Sequence, residues 1–269
     1  MNRRSLRNLL YSTFLLLVIS LTLSPIGTAC VPSVDDEASA TPPAERRPTS
    51  PKAKVASAPQ SPPEANVASA SEPPALVPGQ KVRLPLPRTG GGMPLMEALS
   101  TRKTVRRFSD RSLSLATISN LLWAGFGVNR PESGKRTAPT ARDMREIDLY
   151  VALPQGLYLY DAEAHELRPE HSQDIRAITG KQRFTATVPL SLIYVADFDR
   201  MEDLEPERKD FYATVDTGFI SQNVYLFCAS EKLATVVIGY LDRAQLSAAM
   251  KLRPQQKVIL SQAVGYPAR

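Results

Sequence analysis

The sequence predicts an α+β fold, with helices packed around one sheet. Three observations predict it. Beyond residue 93, hydrophobic periodicity gives the order helix, helix, hairpin, strand, long helix, strand, helix, strand. No predicted strand runs into a G-x-G-x-x-G turn, which argues against a dinucleotide-binding parallel sheet. The 177 residues of 93–269 are enough to bury one core.

Each element has its own signal. Leu95, Met96 and Leu99 fall at helical spacing after Pro94, which suits a first helical turn. Ser114 is placed to cap a second helix whose buried stripe is Leu115, Ile118, Leu121 and Leu122. That helix ends at Gly125 and Gly127, where glycine permits positive φ. A long loop follows over 129–145. Apolar alternation predicts a strand over 147–153, a turn at Pro154-Gln155-Gly156 and a returning strand over 157–160. The continuous apolar run 190–196 reads as a central strand. A long helix is expected over 206–233, with Phe219, Val224, Phe227 and Leu233 among its apolar positions. Strands are expected over 234–240 and 257–266, with a helix capped by Asp242 between them.

The first 92 residues read differently. Arg3, Arg4 and Arg7 precede an apolar run over 9–23 and the small residues Gly27, Thr28 and Ala29, the three-part plan of a secretory signal over 1–30. Gly27-Thr28-Ala29-Cys30 is similar to a lipoprotein processing site, although Gly27 stands where Leu is usual, so Cys30 is a candidate for lipidation. Arg3-Arg4 also resembles a twin-arginine signal. Thirteen of the 23 prolines fall within 31–88, and almost no aromatic accompanies them, which predicts an extended linker over 31–92 ending in Gly90-Gly91-Gly92. An exported, periplasmic domain held near a membrane by its N-terminal segment is the expectation.

Composition narrows the chemistry. A net charge of +6, with acids interspersed among the bases, does not make a nucleic-acid-binding face. Two cysteines exclude a disulfide scaffold, and Cys228 reads as a buried free thiol. His165 and His171 are six residues apart in a polar stretch that reads as a surface loop, not at the spacing of a zinc motif. No Gly-x-Ser-x-Gly elbow is present, so a hydrolase is unsupported. The densest local feature is Arg102, Lys103, Thr104 and Arg106 at the end of the first helix. An extended backbone there points Thr104 and Arg106 to one side. Two guanidinium forks, an ammonium and a hydroxyl would hold a phosphate monoester, or would simply make a solvated basic helix end.

The segment Arg102-Lys103-Thr104-Val105-Arg106-Arg107-Phe108 resembles the opening motif of the nitroreductase family, R-x-S-x-R-x-F, with Thr104 for the usual Ser. Four further matches follow in the family's order. Arg136-Thr137-Ala138-Pro139-Thr140-Ala141 is similar to its Pro-Ser loop, and Asp143 stands where many members have Asn. Asp216-Thr217-Gly218 through Ser221-Gln222-Asn223 and Leu226 is similar to its dimer helix. Val237-Ile238-Gly239-Tyr240 resembles the strand end beside the flavin, and Val264-Gly265-Tyr266-Pro267 the closing V-G-x-P.

The resemblance implies a nitroreductase-like fold, with a mainly antiparallel central sheet flanked by helices, in an FMN-binding homodimer. It implies that Arg102, Lys103, Thr104 and Arg106 hold the FMN phosphate, and that Arg269 serves where members carry a further basic pair. Pro139, Thr140, Ala141 and Asp143 would approach the partner's flavin, and Gln182, Val237, Ile238 and Gly239 would lie at the ring. No catalytic side chain and no metal ligand are assigned. The implied activity is hydride or electron transfer through flavin N5 to or from a small organic substrate. NADH or NADPH is the usual donor, which conflicts with export. The loop over 129–141 and the segment 157–161 look closer to the dehydrogenase branch that oxidises azolines in peptides, the SagB type. An exported, non-catalytic flavin- or ligand-binding module of the same fold is the alternative.

Overall fold

The structure, a computed structural model, describes residues 76–268. The leader, most of the linker, Cys30 and Arg269 lie outside the described residues. The described part is an α+β fold around a seven-stranded sheet in which every pairing is antiparallel.

The strands are β1 (Val82–Arg83), β2 (Val128–Arg130), β3 (Lys135–Arg136), β4 (Ile147–Leu153), β5 (Gly156–Asp161), β6 (Glu166–His171), β7 (Leu190–Asp197), β8 (Ala234–Ile238) and β9 (Gln256–Gly265). The helices are α1 (Leu95–Thr101), α2 (Leu115–Phe126), α3 (Pro206–Ser230) and α4 (Arg243–Ala249). The main sheet runs β1-β6-β5-β4-β7-β9-β8, and β2 with β3 forms a separate ribbon.

β7 is central and all eight of its residues are buried. Its side chains alternate between two layers, as a pleat requires. Leu190, Leu192, Tyr194 and Ala196 join Leu149 and Val151 of β4 beneath α2 and α3, where Leu121, Leu122, Ile220 and Val224 meet them. Ile193 and Val195 face the other way, against Leu246 and Met250 beside α4. Burial on both faces explains why the run reads as continuously apolar. Gly156 closes the β4–β5 hairpin at φ 139°, where a Cβ would sit 2.3 Å from the His171 carbonyl oxygen.

Both predicted caps form: Ser114 accepts from the Thr117 amide at 3.1 Å, and Asp242 from the Gln245 amide at 3.0 Å. The glycines ending α2 act otherwise than expected. Gly127 has φ −72°, and a Cβ there would lie 2.4 Å from the Trp123 ring. Gly125 is a contact point, since its Cβ would be 3.0 Å from Val224 on α3. Close approach, not positive φ, is their use. At the end of α3 it is Lys232 that turns left-handed, at φ 56°.

Three expectations need correction. The polar stretch carrying His165 and His171 is not a surface loop: β6 pairs with β5 throughout and with β1 at its start. The loop over 129–145 contains the β2–β3 ribbon. Leu95, Met96 and Leu99 of α1 and Phe219 of α3, placed only by their spacing, are exposed, Leu95 at 62%, Met96 at 75% and Phe219 at 44%, while Ala98 of α1 is buried. Finally, the end of the expected linker is packed on the domain, with Leu84 in the core.

That last segment crosses the domain as a strap. Lys81 pairs with Glu166 at 3.0 Å, and the Leu84 amide donates to the His165 carbonyl at 3.2 Å. The His165 ring, its own backbone at φ 49°, lies 2.9 Å from the Tyr160 hydroxyl through Nδ1. Its Nε2 lies 2.7 Å from Ser119 Oγ and 3.1 Å from the Pro85 carbonyl. Burial lowers the pKa of this imidazole and favours the neutral ring. Further on, the Arg88 amide donates to Asn120, its guanidinium pairs with Glu231, and the Met93 amide donates to Ser230.

Candidate functional site

The cationic segment leaves α1 in an extended conformation. Lys103, Thr104 and Arg106 are exposed, while Val105 is half-buried and its amide donates to the Thr235 carbonyl of β8 at 3.0 Å. Arg102, Lys103 and Arg106 make no ion pair among the described residues. The chain's end lies alongside. The Ser109 amide donates to the Tyr266 carbonyl at 2.9 Å and the Ala268 amide to the Arg107 carbonyl at 3.1 Å. A cavity of about 620 Å³ between them is lined in part by Lys103, Val105, Tyr225, Lys232 and Pro267.

Tyr225 of α3 ties this segment to the end of β8. Its hydroxyl lies 3.1 Å from Thr104 Oγ1 and accepts from the Val237 amide at 3.1 Å, while Arg102 lies over its ring at 5.3 Å. Sequence reasoning missed Tyr225, although it sits between two residues of the quoted helix motif.

Gln182 reaches the same strand end from the other side. Gly180 packs against Ile238, so that a Cβ would be 2.8 Å from its methyl group, and the Lys181 amide donates to the Tyr240 carbonyl at 3.0 Å. Gln182 is half-buried and its Oε1 is buried without a hydrogen-bond partner. Thus β8 brings together two of the predicted groups, Arg102 to Arg106 and Gln182, with Val237, Ile238 and Gly239 between them.

The third group lies elsewhere. Asp216, buried on α3, accepts from the Ala141 amide at 2.8 Å. Thr140 donates to Glu146 Oε2 at 3.0 Å and accepts from the Arg145 amide at 3.0 Å. Pro139 and Asp143 are exposed. Asp143 is gripped through both oxygens by Arg145 at 3.0 Å, which holds its carboxyl below the usual range. Arg142, Asp143 and Arg145 all take positive φ. Asp216 and Tyr225 are nine residues apart on α3, about 13 Å along its axis. No hydrogen bond joins residues 139–143 to the cluster around Tyr225 among the described residues.

Beneath this loop lies an acid pair. Glu146 is completely buried and its Oε1 has no hydrogen-bond partner. Burial, with the neighbouring Asp216 carboxylate adding to it, pushes the Glu146 carboxyl up to about 7. The sequence gives no local hint of this pair, since its members are 70 positions apart.

The described residues contain no helix long and apolar enough to cross a membrane and no cluster of three or more His, Cys, Asp or Glu that could hold a metal. Cys228 is buried with a thiol pKa raised by that burial.

Residues 99–266 match the family model described as nitroreductase family. A curated Methanocaldococcus jannaschii protein, provisionally named a nitroreductase, is 29% identical over 169 residues, which cover 59% of this chain and 85% of that one. The crystal structure of a provisionally named nitroreductase from Ralstonia eutropha JMP134 shares 42% identity, with a TM-score of 0.68, over 70% of this chain and 90% of that one. A chain of the Escherichia coli microcin synthetase complex McbBCD shares the fold, at 18% identity and a TM-score of 0.55, over 70% of this chain and 79% of that one.

Proposed function

Since this chain belongs to the nitroreductase family, we propose that it is an FMN-dependent oxidoreductase that works as a homodimer. The observation that carries the FMN assignment is the set Arg102, Lys103 and Arg106, which has no acid partner among the described residues and is joined through Thr104 and Tyr225 to the end of β8. Such cations beside a hydroxyl suit a phosphate monoester. The orphaned Oε1 of Gln182 and the strand end at Val237, Ile238 and Gly239 offer the polar groups for a ring.

When bound, FMN supplies two-electron chemistry, taking a hydride from a donor and passing the electrons to an acceptor. The chain's own work is positional. Arg102, Lys103, Thr104 and Arg106 fix the phosphate end, with Arg269 following the segment that pairs with Arg107. Tyr225 holds the phosphate segment in register with β8. Pro139, Thr140, Ala141 and Asp143, anchored on α3 a helical stretch away, serve the site of the second subunit. Exposed Leu95, Met96, Phe211 and Phe219 support that dimer, because apolar side chains of this size are seldom left to water on paired helices.

The finer reading follows the sequence. The leader directs export and residue 30 carries a lipid, so that the domain works in the periplasm on a membrane tether. The donor is then NAD(P)H or another electron carrier, and the SagB-type oxidation of a small organic substrate is the favoured branch. The test is an absorbance spectrum of the purified full-length chain, with release and identification of the chromophore and measurement of mass in solution. One FMN per chain in a dimer is expected. A folded, colourless chain that takes up no added FMN overturns the oxidoreductase reading and leaves the non-catalytic binding module.

A further inference from the structure

A second basic site lies beside the 139–141 loop, apart from Arg102 and its neighbours. A cavity of about 260 Å³ is lined by Arg130, Lys135, Arg136 and Arg145, with Pro139 and Thr140 on its wall. The β2–β3 ribbon supplies three of the four cations, and the left-handed turn after it supplies the fourth. Arg145 locks the two together: one Nη donates to the Ser133 carbonyl at 3.1 Å, and a Cβ on Gly134 would be 3.2 Å from the other.

These charges are not balanced. Asp143 is the acid in the cavity wall, and Arg145 already occupies both of its oxygens. Arg130, Lys135 and Arg136 have no ion pair among the described residues. Arg130 spends one Nη on the Arg136 carbonyl, at 2.7 Å. Arg136 lies on the Phe126 ring at 4.1 Å, with its Nε buried and without a hydrogen-bond partner. The acids facing Arg136 from its other side, Asp148 and Glu163, line a separate cavity, and Asp148 is held by Arg200 at 2.9 and 3.1 Å.

A guanidinium stacked on a ring, sharing its cavity wall with three other cations, is stabilised by an incoming oxyanion. The cost of holding the wall together is visible in the backbone, where Arg142, Asp143 and Arg145 all sit at positive φ. We propose that this cavity is an oxyanion subsite, in which Arg136, Arg130 and Lys135 take a carboxylate or phosphate carried by the molecule that the enzyme acts on. Its place beside the reacting centre rests on the flavin reading above; its affinity for an oxyanion does not. A carboxylate would belong to an organic substrate, and a phosphate to a nucleotide donor.

The test is a ligand-observed NMR titration of the full-length chain with benzoate, inorganic phosphate and neutral benzamide. Wild type is compared with Lys135→Met, an exposed position, and with Arg136→Gln. Binding of benzoate, and the part of phosphate binding not held by the Arg102 to Arg106 cluster, is expected to weaken at least tenfold in each variant and to weaken with salt, while benzamide binds none of the three proteins. Tighter benzoate identifies a substrate carboxylate, and tighter phosphate a nucleotide donor. Equal binding by wild type and Lys135→Met, binding of benzamide as strong as benzoate, or no binding at all overturns the subsite. Should Arg136→Gln fail to fold, Lys135→Met alone decides. Flavin content is measured on the same samples. A colourless chain that binds oxyanions through Lys135 keeps the subsite and removes the flavin reading, and a yellow chain without such binding does the reverse.

Discussion

Replacing Glu146 by Gln should make the protein more stable at high pH and nearly unchanged at low pH. Glu146 is fully buried, and its carboxyl stands at about 7 against an ordinary value of 4.5. An acid whose pKa is higher in the fold than in the unfolded chain favours the fold while protonated. That advantage is complete below pH 4.5 and is lost as pH rises through 7. The whole difference corresponds to about 3 kcal/mol, of which about 2 kcal/mol disappears between pH 5 and 8. Gln keeps the size of the side chain, can still accept from Thr140 and can donate to Asp216, but does not titrate. Urea midpoints of wild type and Glu146→Gln, taken from pH 5 to 8.5 at one FMN concentration, should therefore diverge by about 2 kcal/mol with rising pH and run parallel above about pH 8. Groups remote from the Glu146–Asp216 pair titrate alike in both proteins and cancel. Parallel curves over the whole range would refute the buried, protonated Glu146.

Further outcomes are expected. Asp216→Asn preserves an acceptor for the Ala141 amide but removes the charge beside Glu146, so the same pH curve should move to lower pH; an unmoved curve would show that the two acids do not interact. Gly156→Ala places a Cβ 2.3 Å from the His171 carbonyl at a φ of 139°, and should cost on the order of 3 kcal/mol, read as a lower urea midpoint. Tyr225→Phe strips the Val237 amide and Thr104 of a shared partner and should weaken FMN retention several-fold, about 1 kcal/mol, in a fluorescence titration. His165→Ala should raise proteolytic cleavage within residues 84–93 while leaving amide protection in β7 unchanged.

The periodic elements were legible because burial on a face dictates them. The β4–β5 hairpin and β7 follow from alternation or from continuous apolar character, and α3 from the apolar positions spread along its length. β6 was not legible, since Glu166 and His171 bracket a strand containing Pro169. Proline is tolerated there because β1 pairs only with Glu166 and Leu167, which leaves that side of the strand free of a neighbour at residue 169. The exposure of Phe219 was hidden for another reason: an apolar residue on a helix reads the same in sequence whether it faces the core or solvent. In the candidate site, the Arg102 to Arg106 segment could be picked out by charge density and by family resemblance. The Glu146–Asp216 pair, the bridging role of Tyr225 and the cavity at Arg136 arise from contacts between distant positions, which no local pattern encodes.

The strap also sets how the domain would bear a load. A pull on the chain from upstream of residue 76 meets the β1–β6 pairing at the sheet edge before any other element. Behind that stand the Pro85 clasp at His165 and Ser119, and then the anchors of Arg88 and Met93 on α2 and α3. These fasteners act in series, so each must fail before force is transmitted to α1 and to the arginines beyond it. A load applied upstream of residue 76 is thus borne first at the β1 edge of the sheet, opposite β8, and the Arg102 to Arg106 cluster is mechanically insulated from it.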